Sequence, residues 1–198
     1  RPKILWLFSQ ILPKLPDMGK NPLLQDFLER LPMFSENERL AMSEQIDILE
    51  AKKGTLLLAD GEVASKCYFV LKGCIRQYSM VDGEEKTTAF FTEEEAAVAF
   101  TSYTQGVPCS HFWICAEDST LIVGAQNIEM EMYEQFPHLQ AMTRMMVEQD
   151  FGKRQEEFAA FIVSSPEERY LHLMNNRPSL LQRVPQHQIA SYLSVTPE

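Results

Sequence analysis

KKGTLLLADGEVASKCYFVLKGCIRQYSMVDGEEKTTAFF, residues 52–91, is the stretch whose reading decides the fold. Short runs rich in β-branched and aromatic residues alternate with glycine: TLLLA (55–59), CYFVL (67–71), CIRQYSM (74–80) and KTTAFF (86–91). Such runs fit a pleated surface, and glycine interrupts them where the chain must turn. Asp82-Gly83 between two of them is a hairpin signal, because both residues tolerate a positive φ. The punctuation continues through Gly106 and Gly124, so strands are expected from 50 to about 125. Regularly spaced short strands predict an antiparallel barrel or roll.

Outward from this stretch the pattern becomes helical on both sides. Residues 22–49 place Leu23, Leu24, Phe27, Leu28 and Leu31 at helical spacing, with Pro32 as an interruption. Ser35 and Glu38 form a capping-box pair for a second helix carrying Leu40, Met42, Ile46 and Leu49. Beyond the roll, Ile128 to Val163 is helical again and breaks at Pro137. Residues 138–163 then form one long helix whose apolar positions, among them Leu139, Met142, Phe151, Phe158 and Ile162, cover more than one face. Such a helix needs two partners: the roll, and the same helix of a second subunit. Intrachain core alone is the alternative. Ser165, Pro166, Glu167 and Glu168 stop one helix and start the next.

The bulk numbers bound the function. The 198 residues are 45% hydrophobic, enough for one large or two small domains. The net charge of −10 argues against nucleic acid, but its distribution does not. Residues 21–137 hold 20 acidic and 8 basic side chains, whereas residues 164–198 hold 3 of each. The acidity sits in the first domain, which need not touch phosphate. Cys67, Cys74, Cys109 and Cys115 match no zinc or redox spacing and are expected as reduced, mostly buried thiols. The apolar run at residues 4–12 is too short to span a bilayer. It is expected as a helical extension or as sequence upstream of a start at Met18.

The last stretch, VPQHQIASYLSVTPE (184–198), carries the functional motif. Gln186 to Leu193 makes a short amphipathic helix with Ile189, Ala190 and Leu193 inward. Ser194-Val195 turns the chain. Thr196 and Pro197 are the cap and first position of another helix. Two helices joined by a short turn, with small Ala190 at their crossing, form the helix-turn-helix pattern.

The order of these elements, with Gly54, Gly61, Gly73 and Gly83 and with Arg169 in SPEERYLHL, resembles the Crp/Fnr family of transcription regulators over residues 22–198. The resemblance implies an α+β chain: an antiparallel β-roll of the double-stranded β-helix, jelly-roll-like kind, a long dimerisation helix, and a winged helix-turn-helix cut short. The expected organisation is an N-terminal extension (1–21), a cyclic-nucleotide-binding-like roll with flanking helices (22–137), the dimerisation helix (138–163) and the start of the DNA-binding domain (164–198). It further implies a homodimeric, cytoplasmic, bacterial DNA-binding regulator with a palindromic operator, and admits RNA polymerase as a further partner. Pro185 and His187 fall where family members meet backbone phosphates, Gln186 between them joins the expected DNA-binding set, Thr196 matches a phosphate-contacting cap, and Glu198 matches the glutamate that accepts from a cytosine amino group. Pro197 departs from the guanine-reading arginine of cAMP-responsive members, so a different half-site is expected.

Nucleotide-binding members grip ribose and cyclic phosphate with a Gly-Glu pair and an Arg-Ser pair. Here these become Val98-Ala99 and Cys109-Ser110, so the ribose acceptor and the phosphate cation are both missing. Glu93, Glu94 and Glu95 add negative charge nearby. The roll is therefore expected not to bind cAMP. The equivalent hollow, with Val98, Ala99, Phe100, Cys109, Ser110, His111, Arg154 and Gln155 as candidate walls, would take an unknown small-molecule effector. A collapsed, ligandless roll is the alternative. No cofactor and no metal site is expected: no cysteine precedes Cys67 for an iron–sulfur cluster, and Cys109 with His111 is a poor haem or metal set. No nucleophile–base pair or phosphate loop suggests an enzyme. The alternative function is a small-molecule sensor or scaffold without DNA binding.

Overall fold

The computed structural model describes residues 21–195. The apolar run at 4–12, Met18, and the candidate DNA-contacting residues Thr196, Pro197 and Glu198 lie outside that range. Two short helices, α1 (Pro22–Glu29) and α2 (Glu36–Gln45), come first. Asn21 caps α1 by accepting from the amides of Leu23 and Leu24, and Ser35 with Glu38 closes a reciprocal capping box on α2.

Eight strands follow: β1 (Asp47–Ala51), β2 (Leu56–Leu58), β3 (Lys66–Lys72), β4 (Ile75–Val81), β5 (Glu84–Phe91), β6 (Ala96–Ala97), β7 (Phe112–Cys115) and β8 (Ser119–Ala125), with helix α3 (Phe100–Gln105) between β6 and β7. They pair antiparallel into two four-stranded sheets, ordered β1-β8-β3-β6 and β2-β7-β4-β5. The hairpin expected at Asp82-Gly83 joins β4 to β5, with φ of 54° and 82°, the two positive values of a type I′ turn.

Two expectations are corrected here. Ile46 and Leu49 do not continue the second helix: it ends at Gln45, and Leu49 belongs to β1. Ile48 and Leu49 pair with Ile122 and Leu121 of β8. The cross-strand ladder overrides a helical spacing that two leucine-type residues can mimic by chance. Residues 100–105 are helical inside the region read as strands; a left-handed Gly106 ends that helix.

Alternation along the strands places the cores. On β3, Tyr68 and Val70 point between the sheets and join Ile75, Phe91, Trp113 and Leu121. Leu71 and Ile122 point the other way, into a second core with Leu24, Leu28, Met42 and Met132. The first sheet is thus covered on both faces, which is why β8 is apolar on both sides at Leu121, Ile122 and Val123.

Helix α4 (Gln126–Gln135) leads to Pro137, where α5 (Pro137–Val163) begins. None of the 27 residues of α5 is buried. Phe151, Phe158, Ile162 and Val163 are 61–83% exposed. Val147, Phe151, Phe158 and Ile162 fall on one face of the helix. Helices α6 (Pro166–Asn176), α7 (Leu180–Arg183) and α8 (Gln186–Tyr192) complete the described chain. Ser165 caps α6, and Glu168 closes its box.

Candidate functional site

Three features carry chemistry: the roll interior, a cavity on the flank of the first sheet, and the docked C-terminal helices. The roll interior is filled. Trp113 is fully buried, edge-on to Tyr68 and to Phe91 at 6.2 Å each, and its indole N–H donates to Gln77 Oε1 at 2.9 Å. The candidate wall residues scatter around it. Ala99 is buried at the start of α3. The buried Cys109 thiol donates to the Ala59 carbonyl at 3.1 Å. Ser110 is exposed, and its carbonyl accepts from Ser79 Oγ. His111 is half-buried, 5.6 Å from the Trp113 ring; burial lowers its pKa, and its Nε2 has no hydrogen-bond partner. On α5, Arg154 lies over the Phe91 ring at 4.9 Å and pairs with Asp150 at 2.6 Å, while Gln155 is exposed.

Val98 and Phe100 instead face a cavity of about 250 Å³ outside the roll. Its walls are the outer face of β3 and β8 and the helices α1, α2, α4 and α5. Apolar side chains dominate, including Phe27, Phe69, Met42, Met132, Met142 and Met146. Ala99, Cys109, Ser110, His111, Arg154 and Gln155 are not among its walls. One polar cluster reaches it: Glu129 on α4 accepts from the Tyr103 hydroxyl at 2.9 Å and from the Cys67 thiol at 3.4 Å. Burial, reinforced by Glu129, pushes the Cys67 thiol up to about 12, so it stays protonated as the donor. Burial likewise raises Tyr103, with Cys67 and Glu129 adding to it. Gly124 makes room for this cluster, since a Cβ there would meet the Cys67 sulfur at 2.5 Å and Glu129 at 3.0 Å.

The C-terminal helices dock on the outer face of the second sheet. Leu173, Leu180, Val184, Ile189 and Leu193 pack on Cys74, Phe90 and Ala116. Two arginines clamp the contact. Arg183 grips both oxygens of Glu93 at 2.8 Å, pairs with Glu117, and donates to the Gly73 carbonyl at 2.7 Å. Arg177 pairs with Glu95 at 2.7 Å and donates twice to the Phe90 carbonyl at 3.2 Å. Hydrogen bonds donated to Glu93, working against burial, raise Arg183. Burial pushes Glu93 up, but the Arg183 and Gly73 donors outweigh it and hold the carboxylate below its usual range. With Glu94 paired to Arg30, all three glutamates counted in the sequence as loose negative charge are held by intrachain cations.

Arg169 joins the junction of α5, α6 and α8: it donates to the carbonyls of Phe161 and Leu193 and stacks on the Phe161 ring at 4.0 Å. Ile189, Ala190 and Leu193 are buried as the spacing predicts, and Ser194 turns the chain with a φ of 55°. Pro185 precedes α8, with Gln186 and His187 exposed in its first turn. The sequence reading missed Trp113, Gln77, Arg177 and Arg183. The tryptophan sits in an alternating run, FWIC, that marked it as core; the arginines follow no periodicity that would have singled them out.

Comparison with known proteins places this architecture. Residues 48–133 match the family model of the cyclic nucleotide-binding domain. Similar solved structures include FixK2 from Bradyrhizobium japonicum, at 13% identity over 76% of this chain and 78% of that one, with a TM-score of 0.62. The c-di-GMP-responsive global regulator CLP of Xanthomonas campestris is similar at 13% identity, covering 82% and 86%, with a TM-score of 0.61. The Thermus thermophilus catabolite activator protein is similar at 14% identity, covering 83% and 79%, with a TM-score of 0.53. At these identities the likeness is one of fold. A search of curated protein sequences finds no match. Residues 48–133 are thus similar to a cyclic nucleotide-binding domain, and the chain shares its fold with these three solved structures. Among the described residues no helix is long and apolar enough to cross a membrane.

Proposed function

We propose that this chain is a homodimeric, DNA-binding transcription regulator of the Crp/Fnr type whose roll does not respond to cAMP. The observation that carries the reading is α5: a long helix with an exposed apolar stripe, continuing through a capped junction into the helix and turn of Gln186–Val195. A second copy of the helix would cover Phe151, Phe158 and Ile162, and would place two C-terminal units for two half-sites about one turn apart, ~34 Å. Residues Pro185, Gln186 and His187, with Thr196 and Glu198 beyond the described range, are the proposed DNA contacts.

Selection from a random duplex pool with the full-length protein is expected to recover a palindrome distinct from the cAMP-responsive family site. Phe158→Glu is expected to shift sedimentation from dimer to monomer and to weaken operator binding at least tenfold, since a central interface aromatic is worth roughly 2 kcal/mol or more. A pool with no enriched palindrome would leave the sensor or scaffold reading instead. A wild-type chain that sediments as a monomer at micromolar concentration would remove the dimer.

The cAMP part rests on the residues at the two gripping pairs. No arginine stands at 109 or 110 to neutralise a phosphate, and Cys109 is engaged with the Ala59 carbonyl. Buried phosphate without its cation is strongly disfavoured. Titration calorimetry is expected to show no saturable heat with micromolar cAMP, and measurable micromolar affinity would overturn that part alone.

A further inference from the structure

The cavity lies on the flank of the first sheet, and Trp113 is not among its walls. Its volume of about 250 Å³ exceeds what a benzene-sized guest needs: an apolar cavity of ~150 Å³ stays dry in water and takes up benzene. Four methionines from three helices line it: Met42, Met132, Met142 and Met146. Methionine is flexible and polarizable, and it serves surfaces that must adapt to a guest. Phe27 and Phe69, 5.0 Å apart, supply aromatic surface to the same space.

The charge of the walls selects the guest. Every ionisable carboxylate lining the cavity is a potential anion, namely Glu94, Glu95, Glu129 and Asp150, and the walls include no lysine or arginine. Three of these are neutralised from outside, Glu94 by Arg30, Glu95 by Lys153 and Arg177, and Asp150 by Arg154. Glu129 receives only the neutral Tyr103 hydroxyl and Cys67 thiol. A carboxylate held this way can accept one more hydrogen bond and repels an anion.

We infer that this cavity is a binding site for an uncharged, bicyclic-aromatic-sized molecule that donates one hydrogen bond to Glu129. The site stands whether or not the chain binds DNA. It differs from a nucleotide site in having no lysine or arginine to neutralise a phosphate and in its largely apolar wall.

Indole is the probe, being bicyclic, neutral and equipped with a single N–H. The full chain with methyl-labelled methionines is titrated with indole, naphthalene and indole-3-acetate. Saturable indole binding that moves the Met42, Met132, Met142 and Met146 methyl resonances is expected, with indole-3-acetate at least tenfold weaker. Glu129→Gln is expected to cost indole about tenfold while leaving naphthalene unchanged. Met142→Trp, which fills the space, is expected to abolish both. The inference is overturned if the wild-type methionine resonances do not respond to millimolar indole. It is equally overturned if the anion binds as well as indole, or if binding survives in a folded Met142→Trp chain. The methionine readout on the wild-type chain decides the matter even where a variant fails to fold.

Discussion

Trp113→Ala is expected to destabilise the chain by about 3–5 kcal/mol, the range for removing a large aromatic from a packed core. Trp113 is wholly buried between the sheets, touches Tyr68, Phe91 and His111, and anchors Gln77. Its removal takes away ring contacts with both sheets and leaves the Gln77 amide oxygen without its donor. Domains of this kind are stable by roughly 5–15 kcal/mol, so the loss is a large share of the total. Urea unfolding followed by circular dichroism measures it as a fall in the midpoint at unchanged slope. A loss below about 1 kcal/mol would show that the roll collapses around the gap. Trp113→Phe keeps the aromatic body and loses the hydrogen bond, and should cost far less.

Arg183→Met is expected to release the C-terminal helices rather than unfold the roll. The substitution keeps much of the stem but strands Glu93 and Glu117 and unpairs the Gly73 carbonyl. Breaking a buried ion pair from one side costs about 3–5 kcal/mol. These side chains are 20–40% exposed, so screening reduces the figure to about 2 kcal/mol. Hydrogen exchange should then show amides of α6 and α8 exchanging roughly 30-fold faster, with those of β3 and β8 unchanged. Equal protection in both proteins would mean that the apolar contact of Leu180 and Ile189 holds the unit by itself. The pH dependence has a definite sign. Glu93 is held below its usual value of 4.5, so its contribution is full above that value and fades as pH falls below it. Mild acid should loosen the wild-type unit and have little further effect on the variant.

How much of this was legible in the sequence depended on the kind of signal. Local chemistry was plain: Ser35-Glu38, Ser165-Pro166, Asp82-Gly83 and Pro137 each produced the cap, start, turn or break that their side chains dictate. The runs at 67–71, 74–80 and 86–91 were legible as strands, whereas β7 and its Trp113 at the centre of the roll core were not singled out. Pairing across 70 or more residues was not visible, and so the Ile46–Leu49 segment looked helical until β8 claimed it. The flank cavity was hidden for the same reason. Met42 and Met146 are distant in sequence, and their shared wall exists only after α2 and α5 have packed on one sheet. Met142 and Met146 were readable as adaptable residues, but not as neighbours of a void. The arginine clamps depend on three-dimensional approach between a helix and two loops, which no periodicity records.

The docked helix α8 does one more thing for the second sheet. Strand β5 is its outermost strand, and the Ser191 hydroxyl accepts from the Thr87 amide at 2.9 Å and donates to the Glu85 carbonyl at 3.3 Å. A single side chain thus occupies two groups of a backbone rim that would otherwise invite another strand. Any movement that carries α8 away would uncover that rim together with Phe90, making self-association and precipitation the hazard.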